Sequence, residues 1–275
     1  MKKAEKIRKI VKAGYGKIAR ESGSCCGGGK PCGGRSERVS RGIGYRRKDL
    51  KSAPEGSNLG LGCGNPTALA SLSPGETVLD LGSGAGFDCF LSARRVGPKG
   101  KVIGIDMTPE MIARARRNAK KDGTANVEFR LGDIEKMPVD SGSVDVVISN
   151  CVINLVPDKR RAFKEAFRVL EPGGRMFVSD LVLRRPLPKK VLDASSALIG
   201  CIAGAWKLER YVGAIKAAGF RKVRILERKY YPLKFITEFV AENQVSKREL
   251  ARLTKTVVSI NVAGFKPAHG RTKTS

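Results

Sequence analysis

Three cysteines sit in settings that suit reactive groups. Cys151 directly follows the apolar run Val144 to Asn150 and so ends a strand on what would be a ligand edge. Cys63 lies among Gly60, Gly62, Gly64 and Pro66, a stretch too rich in glycine for core, and the loop reads as a mobile flap. Cys201 falls in an apolar helical stretch from Val191 to Trp206 and, taken alone, reads as core more readily than as a ligand. Together the three thiols describe a claw for a soft atom, because thiolates are soft ligands. Cys89, among Phe87, Phe90 and Leu91 at a helix start, reads as a small buried hydrophobe and stays outside the claw.

These thiols need a scaffold, and the chain supplies one of alternating strand and helix signals. Thr77 to Leu81, Lys101 to Ile105, Val127 to Leu131, Val144 to Asn150 and Arg175 to Leu183 are β-rich runs. Asp88 to Val96 has helical composition and stops at Gly97-Pro98. Thr108 to Asp122 opens on Thr-Pro-Glu and closes at Gly123, a helix marked at both ends. Lys159 to Leu170 is a helix stopped by the turn Glu171-Pro172-Gly173-Gly174. Val223 to Tyr231 and Val257 to Phe265 read as two further strands, with Leu208 to Ala218 a helix before them and Phe235 to Arg252 helices over one edge. The expected fold is α/β: a doubly wound, mostly parallel seven-stranded sheet. Met1 to Ile18 carries Ile7, Ile10, Val11 and Ile18 at helical spacing between lysines, an amphipathic helix suited to covering a ligand.

Gly82, Gly84 and Gly86 follow the first strand at intervals of two, where the backbone can approach a ligand and point N–H groups at it. Asp106, at the end of the second strand, is placed to accept both hydroxyls of a ribose. Asp133 and Ile134, after the third strand, offer a polar side chain and a backbone amide to an adenine edge. Asp80, Ser83, Met107 and Asn150 flank these points on the same edge. The GxGxG spacing departs from the dinucleotide pattern and fits a nucleoside-containing cofactor.

At 275 residues the chain can bury one sizeable core with appendages. The expected division is a basic N-terminal helix and Cys/Gly-rich arm over 1–57, a cofactor-binding core over 58–204, and sheet completion with a basic tail over 205–275. The net charge of +27 divides over those three parts as +11, +5 and +11. Val191 to Trp206 is shorter than the about 20 apolar residues of a bilayer span, and the lysine-rich start has no apolar segment behind it. A cytoplasmic monomer with reduced thiols and no membrane contact is therefore expected.

LDLGSGAGFD, the acid in GIDMTPEM, GDIEKMP and RVLEPGGR together resemble the class I S-adenosylmethionine-dependent methyltransferases over about Thr77 to Leu183. GCGNPTALASL around Cys63, SNCVINLVPDK around Cys151, GCIAGA around Cys201 and the segment Tyr15 to Ala19 with Cys25-Cys26 narrow the resemblance to the arsenite methyltransferases. The resemblance implies S-adenosylmethionine as cofactor and arsenite as substrate, its trivalent arsenic held by Cys63, Cys151 and Cys201. It also implies a thiol reductant of thioredoxin or glutathione type. In that family a cysteine upstream of the first motif pairs with that motif's cysteine during turnover, so Cys25, Cys26 and Cys32 become candidates and Cys63 their partner. Those three thiols, with no histidine near them, fall short of the four ligands of a closed zinc site. The single histidine, His269, lies near the polar C-terminus, which suits a reaction without a general base.

Rival readings are a methyltransferase acting on RNA or a lipid-like small molecule, and a non-catalytic metalloid-binding protein. Basic runs such as Arg46-Arg47-Lys48 and Arg221-Lys222-Val223-Arg224 keep nucleic acid in play. It is not favoured, because strand four is followed by Asn150-Cys151-Val152-Ile153-Asn154 and not by the Asn-Pro-Pro-Tyr phrase of many base-amine methylating enzymes.

Overall fold

The β-branched, apolar runs form one sheet in the computed structural model, which describes residues 3–21, 33–187, 201–230 and 255–268. The strands are β1 (Thr77–Leu81), β2 (Lys101–Asp106), β3 (Val127–Leu131), β4 (Val144–Asn150), β5 (Leu170–Leu183), β6 (Arg221–Tyr230) and β7 (Val257–Phe265). Their order is β3-β2-β1-β4-β5-β7-β6. The first five are parallel, and β7 is inserted antiparallel to both β5 and β6. The winding reverses between β1 and β4, which opens a crevice at their carboxyl ends.

Helices α1 (Lys3–Arg20), α2 (Gly33–Gly42), α3 (Arg47–Ser52) and α4 (Pro66–Leu69) precede the sheet. Helices α5 (Phe87–Val96), α6 (Pro109–Asp122), α7 (Lys159–Val169) and α8 (Leu208–Ala217) cover its two faces. Their ends have local causes. α6 starts on Pro109 after Thr108 and stops at Gly123, whose φ of 69° lets its N–H reach back to Ala119 O. α7 is capped by Asp158, whose carboxylate accepts from Arg161 N at 3.1 Å. Leu81, Ile105, Val147, Phe163, Met176 and Tyr211 are packed on one face of the sheet, and Val78, Phe90, Val102, Ile148 and Phe177 on the other.

Glu171 to Gly174, expected to end a helix as a turn, instead lies within β5. Leu170 pairs with Val144 and Arg175 with Val146, so four residues bulge out between pairs only two apart on β4, with Gly173 at φ 88°. Edge strand β6 exposes Arg221, Lys222, Arg224, Arg228 and Lys229. Charge there blunts an unpaired edge and gives part of the C-terminal basicity a plain structural cause. No helix of the described residues is long and apolar enough to cross a membrane. Cys25, Cys26, Cys32, most of Val191 to Trp206, Phe235 to Arg252 and His269 lie outside the described residues.

Candidate active site

A cleft of about 1000 Å³ opens at the carboxyl ends of β1 to β4. It is lined by Asp80, Gly82, Ser83, Gly84, Asp106, Met107, Asp133, Ile134 and Asn150, with Val11 and Tyr15 of α1 over it. Gly86 is absent from that lining. It is the N-cap of α5 at φ 93°, and a Cβ there would stand 2.7 Å from Phe90 Cε2 and 2.8 Å from Phe129 Cζ. Its role here is helix packing rather than ligand approach. Gly84, at φ 52°, faces open space where a side chain would meet nothing within 4 Å. Its N–H donates to Asp106 Oδ2 at 3.0 Å, while Thr108 N donates to Oδ1 at 2.8 Å.

The cleft is electrostatically suited to a cation. Burial raises the pKa of Asp80 well above the carboxylate range, and Asp88 and Asp106 beside it add to the shift. Burial also raises Asp88 and Asp106, against hydrogen bonds that stabilise their charged forms. Ser83 Oγ is buried with no hydrogen-bond partner. Neighbouring carboxylates that burial disfavours as anions fit a ligand carrying positive charge, as S-adenosylmethionine does.

The thiols meet at the rim. Cys63 and Cys151 are joined by a disulfide across 88 residues of chain. This differs from the expected pairing of Cys63 with an upstream cysteine, and from a set of wholly reduced thiols. It arises because the Cys63 loop is folded down on the end of β4. The loop is no open flap: Cys63 is 3% exposed, its N–H donates to Asn150 Oδ1 at 2.9 Å, and its carbonyl accepts from Ser259 Oγ at 2.6 Å. Cys151 lines the cleft. Cys201 is buried, with its Sγ 2.7 Å from Cys151 O. Cys151 and Cys201 have φ of 61° and 62°, left-handed values that cost a residue with a side chain about 1–2 kcal/mol. Cys89 is fully buried, its Sγ 3.3 Å from Asp80 Oδ2.

Three polar residues escaped the sequence reading. Tyr45 O–H donates to Asp88 Oδ1 at 2.6 Å, and both residues line the cleft. Asp180 is fully buried in β5, with a carboxylate oxygen and the sulfurs of Cys63 and Cys151 all within 4.8 Å of one another. It accepts from Tyr211 Oη at 2.9 Å, Asn154 Nδ2 at 2.8 Å and Leu181 N at 2.9 Å, yet burial pushes its pKa up to about 7. Buried Lys159 donates to the carbonyls of Asn154 and Val156 and is pushed down to about 8 by desolvation.

The Asp180 shift has a definite sign. With its folded pKa raised, the native state holds a proton that an unfolded aspartate releases near pH 4, so the stability contribution is complete below that pH. It is lost as pH rises through about 7, by up to about 4 kcal/mol. Asp180→Asn is expected to flatten this slope, which chemical denaturation of both proteins across pH 4–8 measures. Parallel slopes would contradict the assignment.

A family model described as a methyltransferase domain matches residues 72–235. An arsenite methyltransferase of Halobacterium salinarum is 45% identical over 96% of this chain and 68% of its own length. One of Aquipseudomonas alcaligenes is 39% identical over 63% of this chain and 52% of its own. The crystal structure of an arsenic(III) S-adenosylmethionine methyltransferase from Chlamydomonas reinhardtii is 31% identical, covering 84% of this chain and 74% of that one at a TM-score of 0.62. With the sheet order, the cleft and these likenesses in agreement, the chain belongs to the arsenite methyltransferase family of S-adenosylmethionine-dependent methyltransferases.

Proposed function

We propose that this protein methylates trivalent arsenic held by Cys63, Cys151 and Cys201, at a rim next to the cofactor cleft. The observation that supports it best is the convergence of thiols at the end of β4. Cys63 and Cys151 sulfurs touch, Cys201 lies against the Cys151 carbonyl, and Cys151 itself lines the cleft. Trivalent arsenic is soft and pyramidal, so three thiolates can replace the hydroxyls of arsenous acid and leave its lone pair exposed. That lone pair carries no proton, so no general base is required.

The cofactor supplies a methyl group carried on a sulfonium. Asp106 would take its ribose hydroxyls, Asp133 and Ile134 its adenine edge, and Asp80 and Asp88 its positive charge. What the chain contributes is placement of arsenic beside the cleft. Transfer leaves arsenic pentavalent, and a further thiol pair must reduce it. Cys25, Cys26 and Cys32 with an external thiol reductant are assigned to that task, and the same reductant opens the Cys63–Cys151 bond.

The direct test is chromatographic speciation of arsenic after incubation with arsenite, S-adenosylmethionine and reductant. Methylated arsenic is expected; none, with the cofactor demonstrably bound, defeats the proposal. Asp106→Ala is expected to weaken cofactor binding by about 10-fold or more, since hydrogen bonds to a charged group contribute about 1.5–3 kcal/mol. Calorimetric titration checks this, and undiminished affinity would remove Asp106 from the ribose role.

A further inference from the structure

Asn150 was expected to meet the cofactor, yet its carboxamide is spent within the protein. Oδ1 accepts from the N–H groups of Cys63 and Gly64 at 2.9 and 3.3 Å. Nδ2 stands 2.9 Å from Gly64 O, 2.9 Å from Tyr45 Oη and 3.1 Å from Asp88 Oδ2. The thiol loop has no slack around this grip. A Cβ on Gly62 would fall 2.6 Å from Asn150 Nδ2, and one on Gly64 would fall 2.7 Å from Ser179 Oγ. A carboxamide has two N–H protons, so three acceptors compete for two donors. Two of the acceptors, Tyr45 and Asp88, line the cofactor cleft; the third is the backbone of the loop that carries Cys63.

We propose that Asn150 is a positioning residue that couples the cofactor cleft to the arsenic-binding loop. The inference rests on the functional reading above. A cation in the cleft satisfies Asp88, and the two amide protons then serve Gly64 O and Tyr45 Oη without competition. The loop presenting Cys63 is gripped harder when the cleft is filled, so cofactor binding tightens arsenite binding. By linkage, arsenite tightens the cofactor by the same factor. Couplings of this kind run from about 5-fold to 150-fold, and about 10-fold is expected here.

The test uses full-length protein reduced with a phosphine, and sinefungin, a cationic analogue of the cofactor that transfers no methyl group. Calorimetry gives the arsenite Kd with and without sinefungin, and the sinefungin Kd with and without arsenite. The wild type is expected to show the same ratio of about 10 both ways, and Asn150→Ala a ratio within about twofold of one, with thermal unfolding reporting that each protein is folded. Tyr45→Phe supplies a second route should Asn150→Ala not fold. It leaves two acceptors for two protons, so arsenite should bind tighter than to the wild type when sinefungin is absent, and the ratio should shrink. A purely structural role for Tyr45 predicts weaker binding instead. A wild-type ratio of one with both ligands bound, or an undiminished ratio in folded Asn150→Ala, overturns the coupling alone. Sinefungin bound but no arsenite overturns the functional reading, and the coupling with it.

Discussion

Cys201→Ser is expected to lower arsenite methylation by at least about 100-fold while leaving the protein folded. A 100-fold loss corresponds to about 2.7 kcal/mol of transition-state stabilisation, modest against the loss of one of three arsenic–sulfur bonds. The Cys201 side chain is buried and its Sγ donates to Cys151 O at 2.7 Å, a carbonyl that a serine hydroxyl can also donate to. A loss of rate with an unchanged unfolding midpoint is then a loss of sulfur, not of packing. Cys151→Ser should be as damaging, but it also removes the disulfide. Methylation by Cys201→Ser within a few-fold of wild type would reduce the claw to two thiols.

The second large effect concerns oxidation state. In the disulfide form Cys63 and Cys151 have no thiolate to offer, so two of the three proposed arsenic ligands are occupied by each other. Protein isolated without reductant is expected to take up at least about 100-fold less arsenite than protein reduced with a phosphine, because thiolates and not disulfides ligate soft centres. A phosphine is preferable to a dithiol reductant, which would itself chelate arsenite. Peptide mapping should find Cys63 and Cys151 linked before reduction and alkylated after it. Full uptake by protein whose linked peptide is still present would show that arsenic binds elsewhere.

Much of this arrangement is legible in the residues, for local reasons. The ends of α6 are set by Thr108-Pro109 and Gly123, so the boundaries of α6 and α7 read from sequence lie within a residue of those observed, whereas β5 begins five residues before the expected Arg175. The cleft residues follow strand ends, and strand ends are marked by where apolar runs give way to glycine and acid. What escaped is non-local. Tyr45 meets Asp88 from 43 residues away, out of the short connection between α2 and α3. The Cys63 loop reads as mobile because glycine permits motion. Here glycine instead permits close approach, and Asn150 and Ser259 from distant strands hold the peptide. Asp180 did leave a trace. A lone acid within Met176 to Leu183 is a charge in a buried strand, which demands partners. The bulge in β5 could not be read, since Glu-Pro-Gly-Gly looks the same whether the chain turns away or returns to its neighbour.

The left-handed backbone at Cys151 and Cys201 carries a consequence for how such a chain evolves. At φ near 60° glycine is more comfortable than any residue with a side chain, and asparagine is next best. Backbone strain by itself therefore favours replacing both cysteines, and at Cys201, which is not part of the Cys63–Cys151 disulfide, drift in a lineage released from arsenic should run toward glycine or asparagine before the surrounding sheet changes. Cysteine persisting at both, against that local pull, marks a lineage in which the thiols are still under selection for chemistry.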